Sequence, residues 1–248
     1  MRKLRRFGLS ALALLILLAV APPVTATSVS PIQLEMISAG PASRSQITVS
    51  NTSQAPLTLE ATLQRLELDE NGKQKLERAG NEFLIFPPQA MVPPGGTQVF
   101  RVQWVGEPRL DASQSFLMSL TQIPVKFPKN QAAVQVVMSF GVLINVAPPQ
   151  GVPDLTLVGT GVAVEQPGKH RPTITVENKT PVHALLQQAT IKLSSGSWSQ
   201  TLSPSQFGRE VGAGLVQPGK RRKFTLPVEL PAGVTTVQAS VDFRPKRP

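Results

Sequence analysis

The chain has 248 residues, no cysteine, 24 Pro, 18 Gly and an aromatic content of 5%, and its 25 basic against 15 acidic side chains give a formal charge of +10. That length holds two ordinary domains or one large β-domain. Without Cys there is neither a disulfide framework nor thiolate chemistry, and two His supply no His-rich metal motif, so stability has to come from core burial.

Taken in chain order, Arg2, Lys3, Arg5 and Arg6 form a basic start, Leu9 to Val20 an apolar stretch, and Val24-Thr25-Ala26 a small-residue cleavage site. This is the pattern of a secretory signal peptide over residues 1–26, with the mature chain expected from Thr27. Arg5-Arg6 is a weak twin-arginine hint, and a general secretory signal is the better reading. The apolar stretch is short for a membrane span and Pro22-Pro23 interrupts it, so no stable membrane insertion is expected. Removal of the four basic residues leaves 222 residues with a charge of +6, a weak bias towards acidic partners.

After residue 26, strand-like alternation recurs between Pro, Gly, Asn and Ser clusters, and no stretch shows a helical period with caps. Strands are expected over 28–37, 45–51, 57–66, 83–86, 97–105, 115–122, 134–146, 155–165, 173–178, 184–192, 223–226 and 235–243. Their number and spacing predict an all-β chain of two immunoglobulin-like β-sandwich domains, over 27–147 and 154–248. The linker 148–153, with Pro148, Pro149 and Pro153, favours a bent, semi-rigid joint. An internal echo supports the division. Ile47-Thr48-Val49-Ser50-Asn51 parallels Ile174-Thr175-Val176-Glu177-Asn178, and Val92-Pro93-Pro94-Gly95 parallels Val216-Gln217-Pro218-Gly219.

The strand expected over 134–146 is the most informative element. Val134, Val136, Met138, Phe140, Val142, Ile144 and Val146 form one apolar face, with no charge between Gln131 and Pro149. A strand longer than the usual 5–6 residues with such a face either lies inside a sheet or offers that face to a partner. Catalysis finds little material. No Gly-x-Ser-x-Gly, phosphate loop or metal-spaced cluster occurs, so neither metal, cofactor nor catalytic residue is expected and the protein is read as no enzyme. His170 sits in a stretch expected to be a basic loop, and His183 follows a strand turn as an expected surface residue. Glu67, Asp69 and Glu70 crowd a hairpin tip beside Asn71-Gly72, where solvated turn residues are the simpler explanation. The basic runs Lys220-Arg221-Arg222-Lys223 and Arg244-Pro245-Lys246-Arg247 read as a solvated strand start and a loose terminus, not as a nucleic-acid site.

Val29-Ser30-Pro31, Ile47-Thr48-Val49-Ser50-Asn51, Phe86-Pro87-Pro88 with Pro94-Gly95 and Phe100-Arg101-Val102, Leu120-Thr121-Gln122-Ile123-Pro124, and Val176-Glu177-Asn178-Lys179-Thr180-Pro181 occur in an order and spacing that resembles the PapD-like periplasmic chaperones of the chaperone–usher pathway. The resemblance implies two immunoglobulin-like domains set at an angle, a periplasmic location, pilin or fimbrial subunits and an outer-membrane usher as partners, and subunit binding by donor-strand complementation. Its subunit-binding positions here are Val134, Val136, Met138 and Phe140. Such chaperones hold the subunit's terminal carboxylate with two basic residues in the cleft, and the matching positions are Glu35 and Leu143, neither basic. Arg44, Arg101 or Lys126 are the available replacements. An interdomain ion network is also expected to be missing, with Gln114 and Ala147 near two of its positions. These departures suggest a divergent, archaic or alternative branch. Whether the free protein leaves the strand open or caps it by dimerising stays open, and a non-catalytic structural or adhesive envelope module is the alternative reading.

Overall fold

The computed structural model describes residues 27–123, 137–166 and 169–245. The expected signal peptide, and Val134 and Val136 of the long strand, lie outside them. Among the described residues no helix is long and apolar enough to cross a membrane.

Ten strands build the first domain: β1 (Ser28–Ser30), β2 (Gln33–Ile37), β3 (Arg44–Ser50), β4 (Leu57–Leu68), β5 (Gln74–Arg78), β6 (Phe83–Phe86), β7 (Gln89–Val92), β8 (Thr97–Trp104), β9 (Gln114–Gln122) and β10 (Ser139–Ala147). They form one sheet in the order β1-β3-β8-β6 and a second in the order β2-β10-β9-β4-β5, with β7 also on β4. The single strand expected over 28–37 is two strands in different sheets, because Pro31 has no N–H to give a ladder. β1 pairs antiparallel with β3, while β2 crosses over and pairs parallel with β10. Period-2 alternation drives the sandwich: Leu34, Met36, Ile47, Val49, Phe100, Phe116, Met118, Val142, Ile144 and Val146 turn inward and are buried. Phe83 meets Trp104 and Phe116 edge-on at 5.1 and 4.9 Å, so three aromatic rings fill one end of this core.

The second domain holds β11 (Thr156–Gln166), β12 (Lys169–Glu177), β13 (Ala184–Leu185), β14 (Ala189–Ser195), β15 (Trp198–Leu202), helix α1 (Pro204–Glu210), β16 (Leu215–Val216), β17 (Arg221–Thr225) and β18 (Gln238–Phe243). Its sheets are β11-β12-β17, β15-β14-β18 and the short pair β13-β16. The two-domain, all-β immunoglobulin-like expectation therefore holds. His170 lies within β12 and not in a loop. The helix was missed because two turns are too short to show a 3.6-residue period, although Ser203 and Gln206 form a capping box with Pro204 at the first helical position.

The echoed motifs are the same physical device used twice. Asn51 and Asn178 are both fully buried. Asn51 Nδ2 donates to the carbonyls of Ala55 and Val92, and Asn178 Nδ2 donates to those of Val182 and Val216. Each Oδ1 accepts from a residue two positions on, Ser53 or Thr180. A buried amide with every group satisfied ties a strand end to the Pro-Gly turn some forty residues later.

Candidate functional site

The long strand is half interior and half edge. β10 pairs with β9 from Ser139 to Val146, but with β2 only from Leu143 to Ala147. The Leu143 N–H donates to the Ile32 carbonyl at 3.0 Å, and N-terminal to that bond the flank away from β9 has no strand partner among the described residues. Gln122 N–H donates to the Met138 carbonyl, so the even-numbered residues turn their backbone groups to β9. The alternation of an antiparallel ladder then points the N–H and C=O of Ser139 and Gly141 to the open flank. Side chains follow the same gradient. Val142, Ile144 and Val146 are fully buried, Phe140 packs against the core while half exposed, and Met138 is 37% exposed. The apolar row thus leaves the core where the strand loses its second neighbour. Val137 is also exposed, at 46%.

Beside this edge lies the joint between the domains, and it is polar at one corner and apolar at its centre. Glu35 on β2 accepts at Oε1 from Gln33 Nε2 and Asn145 Nδ2, both at 2.9 Å. His183 Nε2 meets Glu35 Oε2 at 2.5 Å, a hydrogen bond between the domains. The other ring nitrogen, Nδ1, lies 3.0 Å from Ser113 Oγ, whose hydroxyl also accepts from the His183 backbone N–H. Ser115 Oγ donates to Asn145 Oδ1 at 2.8 Å, so the network crosses β2, β10 and β9. Leu66, Leu185 and Leu215 form the apolar centre, with Leu68, Leu143 and Ala213 packed around them. On its far side the Gln217 amide mimics a strand: Nε2 donates to the Leu66 carbonyl and Oε1 accepts from Leu68 N–H, both at 2.8 Å.

Several expectations are corrected here. His183 is buried, 4% exposed, because the first domain supplies it with a carboxylate and a hydroxyl. Near the positions of Gln114 and Ala147, where an interdomain ion network is expected to be missing, the domains are joined by the Glu35–His183 hydrogen bond. The acidic hairpin tip is not merely solvated, since the Lys223 N–H donates to the Glu70 carbonyl at 2.7 Å. Nor is Arg222 a solvated strand-start residue. Its guanidinium stacks 4.9 Å from the Phe224 ring and donates to the Leu215 carbonyl. Burial lowers the Arg222 pKa, opposed by Asp69. Of the proposed cleft cations, Arg44 on β3 and Arg101 on β8 belong to the other sheet, and Lys126 lies outside the described residues. The positions expected to carry an anchor hold instead a carboxylate engaged by His183 and a leucine engaged by the interdomain cluster.

Gly72 at that hairpin tip has φ +87°, and a Cβ there would stand 2.7 Å from Arg222 Nη2. Gly72→Ala is expected to cost about 1–2 kcal/mol in urea unfolding of the whole chain, from left-handed strain together with displacement of Arg222. An unchanged midpoint would show that the tip does not bear on the second domain in solution.

Comparison with known proteins adds the following. Residues 28–150 match the family model for pili and flagellar-assembly chaperones, PapD N-terminal domain. No curated protein sequence matches the chain. Among solved structures, the class 5 fimbriae chaperone CfaA is similar at 12% identity and TM-score 0.52, covering 89% of this chain and 100% of that one. A chain of the CsuC–CsuE chaperone–tip adhesion subunit complex from Acinetobacter baumannii is similar at 12% identity and TM-score 0.50, covering 81% and 90%. A chain of the Salmonella enterica SafA pilin–SafB chaperone complex is similar at 14% identity and TM-score 0.51, covering 84% and 86%. At such identities the likeness establishes a shared fold.

Proposed function

Through residues 28–150 the chain belongs to the PapD-like family of pili and flagellar-assembly chaperones, and from that membership we propose that it captures pilin or fimbrial subunits in the periplasm by donor-strand complementation. The observation that carries this reading is the open flank of β10 before Leu143, where the apolar row passes from buried Val142 through Phe140 to exposed Met138. Backbone groups of an edge strand give a partner general affinity, and side chains at every second position fill its pockets. Each well-buried aliphatic side chain contributes roughly 1.5–3 kcal/mol before association costs are subtracted. Val134 and Val136 extend the same row in sequence. The basic start and apolar stretch of residues 1–26 support export, and delivery of the subunit to an outer-membrane usher completes the proposed role, without catalysis or nucleotide.

The test is gentle purification of the tagged protein from its native periplasm and mass spectrometry of what accompanies it. A stoichiometric small β-rich subunit, released on denaturation or transfer, is the expected result. A monomer without partner, under conditions where neighbouring envelope proteins are produced, would overturn the reading in favour of a structural module.

A further inference from the structure

A cavity of about 650 Å³ opens where the two domains and their linker meet. Pro108, Arg109, Leu110 and Asp111 enter it from the loop between β8 and β9, Pro148 from the linker, and Pro181 from the loop between β12 and β13. Hydrogen bonds fix these walls within the protein itself. Ser38 Oγ donates to the Pro108 carbonyl at 2.8 Å, Trp104 Nε1 to the Glu107 carbonyl at 3.1 Å, and the Arg109 N–H to Glu107 Oε1 at 2.9 Å. The Ser113 N–H donates to the Pro181 carbonyl at 2.8 Å, which ties the loop of the first domain to that of the second. Leu110 packs against the first core and Pro148 is buried, so the apolar part of the wall is anchored. Two exposed, opposite charges complete the lining. The side chains of Arg109 and Asp111 have neither a hydrogen bond nor an ion pair, and the neighbouring carboxylate of Glu107 is engaged by backbone.

We propose that this cavity binds a small zwitterion with an apolar side chain, a free amino acid or a short peptide. Its carboxylate meets Arg109, its ammonium meets Asp111, and its side chain lies against Leu110 and the proline rings. The volume and the place between domains are those of an ordinary small-molecule site. A guanidinium donates two parallel hydrogen bonds to a carboxylate, and a carboxylate accepts from an ammonium, so the two lining charges together select a ligand that carries both groups. A ligand with only one charge leaves one lining group without a partner and meets the other as a like charge. Proline and leucine carbons offer no hydrogen bond, which favours an apolar side chain between the charges. Because both domains and the linker form the wall, the ligand braces the joint and raises the stability of the folded protein. This site is independent of subunit capture on β10.

The experiment is calorimetric titration of the purified full chain with L-phenylalanine and with L-leucyl-L-phenylalanine. Phenylacetate and phenethylamine, which keep the ring and one charge each, are the comparison ligands. Saturable binding of a zwitterion is expected, about tenfold or more tighter than either single-charge analogue, together with a rise in unfolding temperature. The tighter of the two zwitterions tells whether the site takes an amino acid or a peptide. Arg109→Glu and Asp111→Lys are each expected to weaken that binding about tenfold or more, and the ligand-free variants should unfold with the wild type because both side chains are exposed. Absence of saturable binding by both zwitterions overturns the inference, as does equal binding of the single-charge analogues or undiminished binding by both variants. If a variant fails to fold, the comparison of ligands on the wild-type chain decides.

Discussion

Met138→Asp is expected to weaken subunit binding by about 100-fold or more while the free protein keeps its unfolding temperature within a few degrees. Met138 is 37% exposed, precedes the first residue of β10 and stands outside the buried core. In the free protein an aspartate there is solvated. In the proposed mode of capture the partner covers this position, so the change removes an apolar contact of roughly 2 kcal/mol and adds the desolvation of an unpaired charge. Titration of the purified subunit against both proteins, with thermal unfolding as a control, measures the two effects separately. Undiminished binding would place the subunit somewhere other than the open flank of β10. Ile144→Asp offers a contrast: Ile144 is fully buried, and that change should unfold the first domain without telling anything about the partner.

His183→Ala carries the second large effect, on stability and on the joint. The substitution removes the donor from a carboxylate that Gln33 and Asn145 still hold in place, and it orphans one hydrogen bond of Ser113. Loss of one partner from a buried hydrogen-bonded pair costs more than loss of both, because the remaining polar group stays desolvated. The Glu35 side chain is 25% exposed, which lets water replace part of the lost contact, so a cost of roughly 1–3 kcal/mol is expected in denaturant unfolding. A double-mutant cycle with Glu35→Ala should return a coupling of about 1–2 kcal/mol. Additive costs would mean that the pair does not link the domains. The same variant reports on the joint by small-angle scattering, where a wider distribution of interdomain distances is expected as one of its polar fastenings is lost.

The joint explains why the cleft positions carry Glu35 and Leu143. Both residues are committed to the joint, one to His183 and the other to the Leu66, Leu185 and Leu215 cluster. A cation at either position would have to leave that arrangement or bury its charge in it. The polar work at this corner is done between the domains, while the apolar row of β10 runs from the buried Val142, Ile144 and Val146 to the exposed Met138.

Much of this was legible in the sequence. Period-2 alternation marked nine of the longer strands to within a few residues, since a half-buried sheet imposes its pattern locally on every second side chain. The repeated Asn and Pro-Gly signals pointed to two similar sandwiches, and the structure shows the same buried amide lock in each. Short elements escaped. β7, with four residues, β16, with two, and the seven-residue helix α1 are too brief for a period, and β5 is exposed throughout and has no apolar face to reveal it.

What the sequence determined by itself was the alternating apolar pattern, hence the all-β class, the two sandwiches and one strand with an unusually long apolar face. Only the tertiary structure decided which part of that strand is core and which is edge, since β2 covers it from Leu143 onward and Pro31 diverts the chain before that point. Only the tertiary structure, too, buried His183 against Glu35, 148 residues away, and Gln217 against Leu66, 151 residues away. Alternation is written locally because each residue reports its own face of a sheet. A polar residue reads as surface until the distant partner that satisfies its hydrogen bonds is brought beside it, and only folding does that.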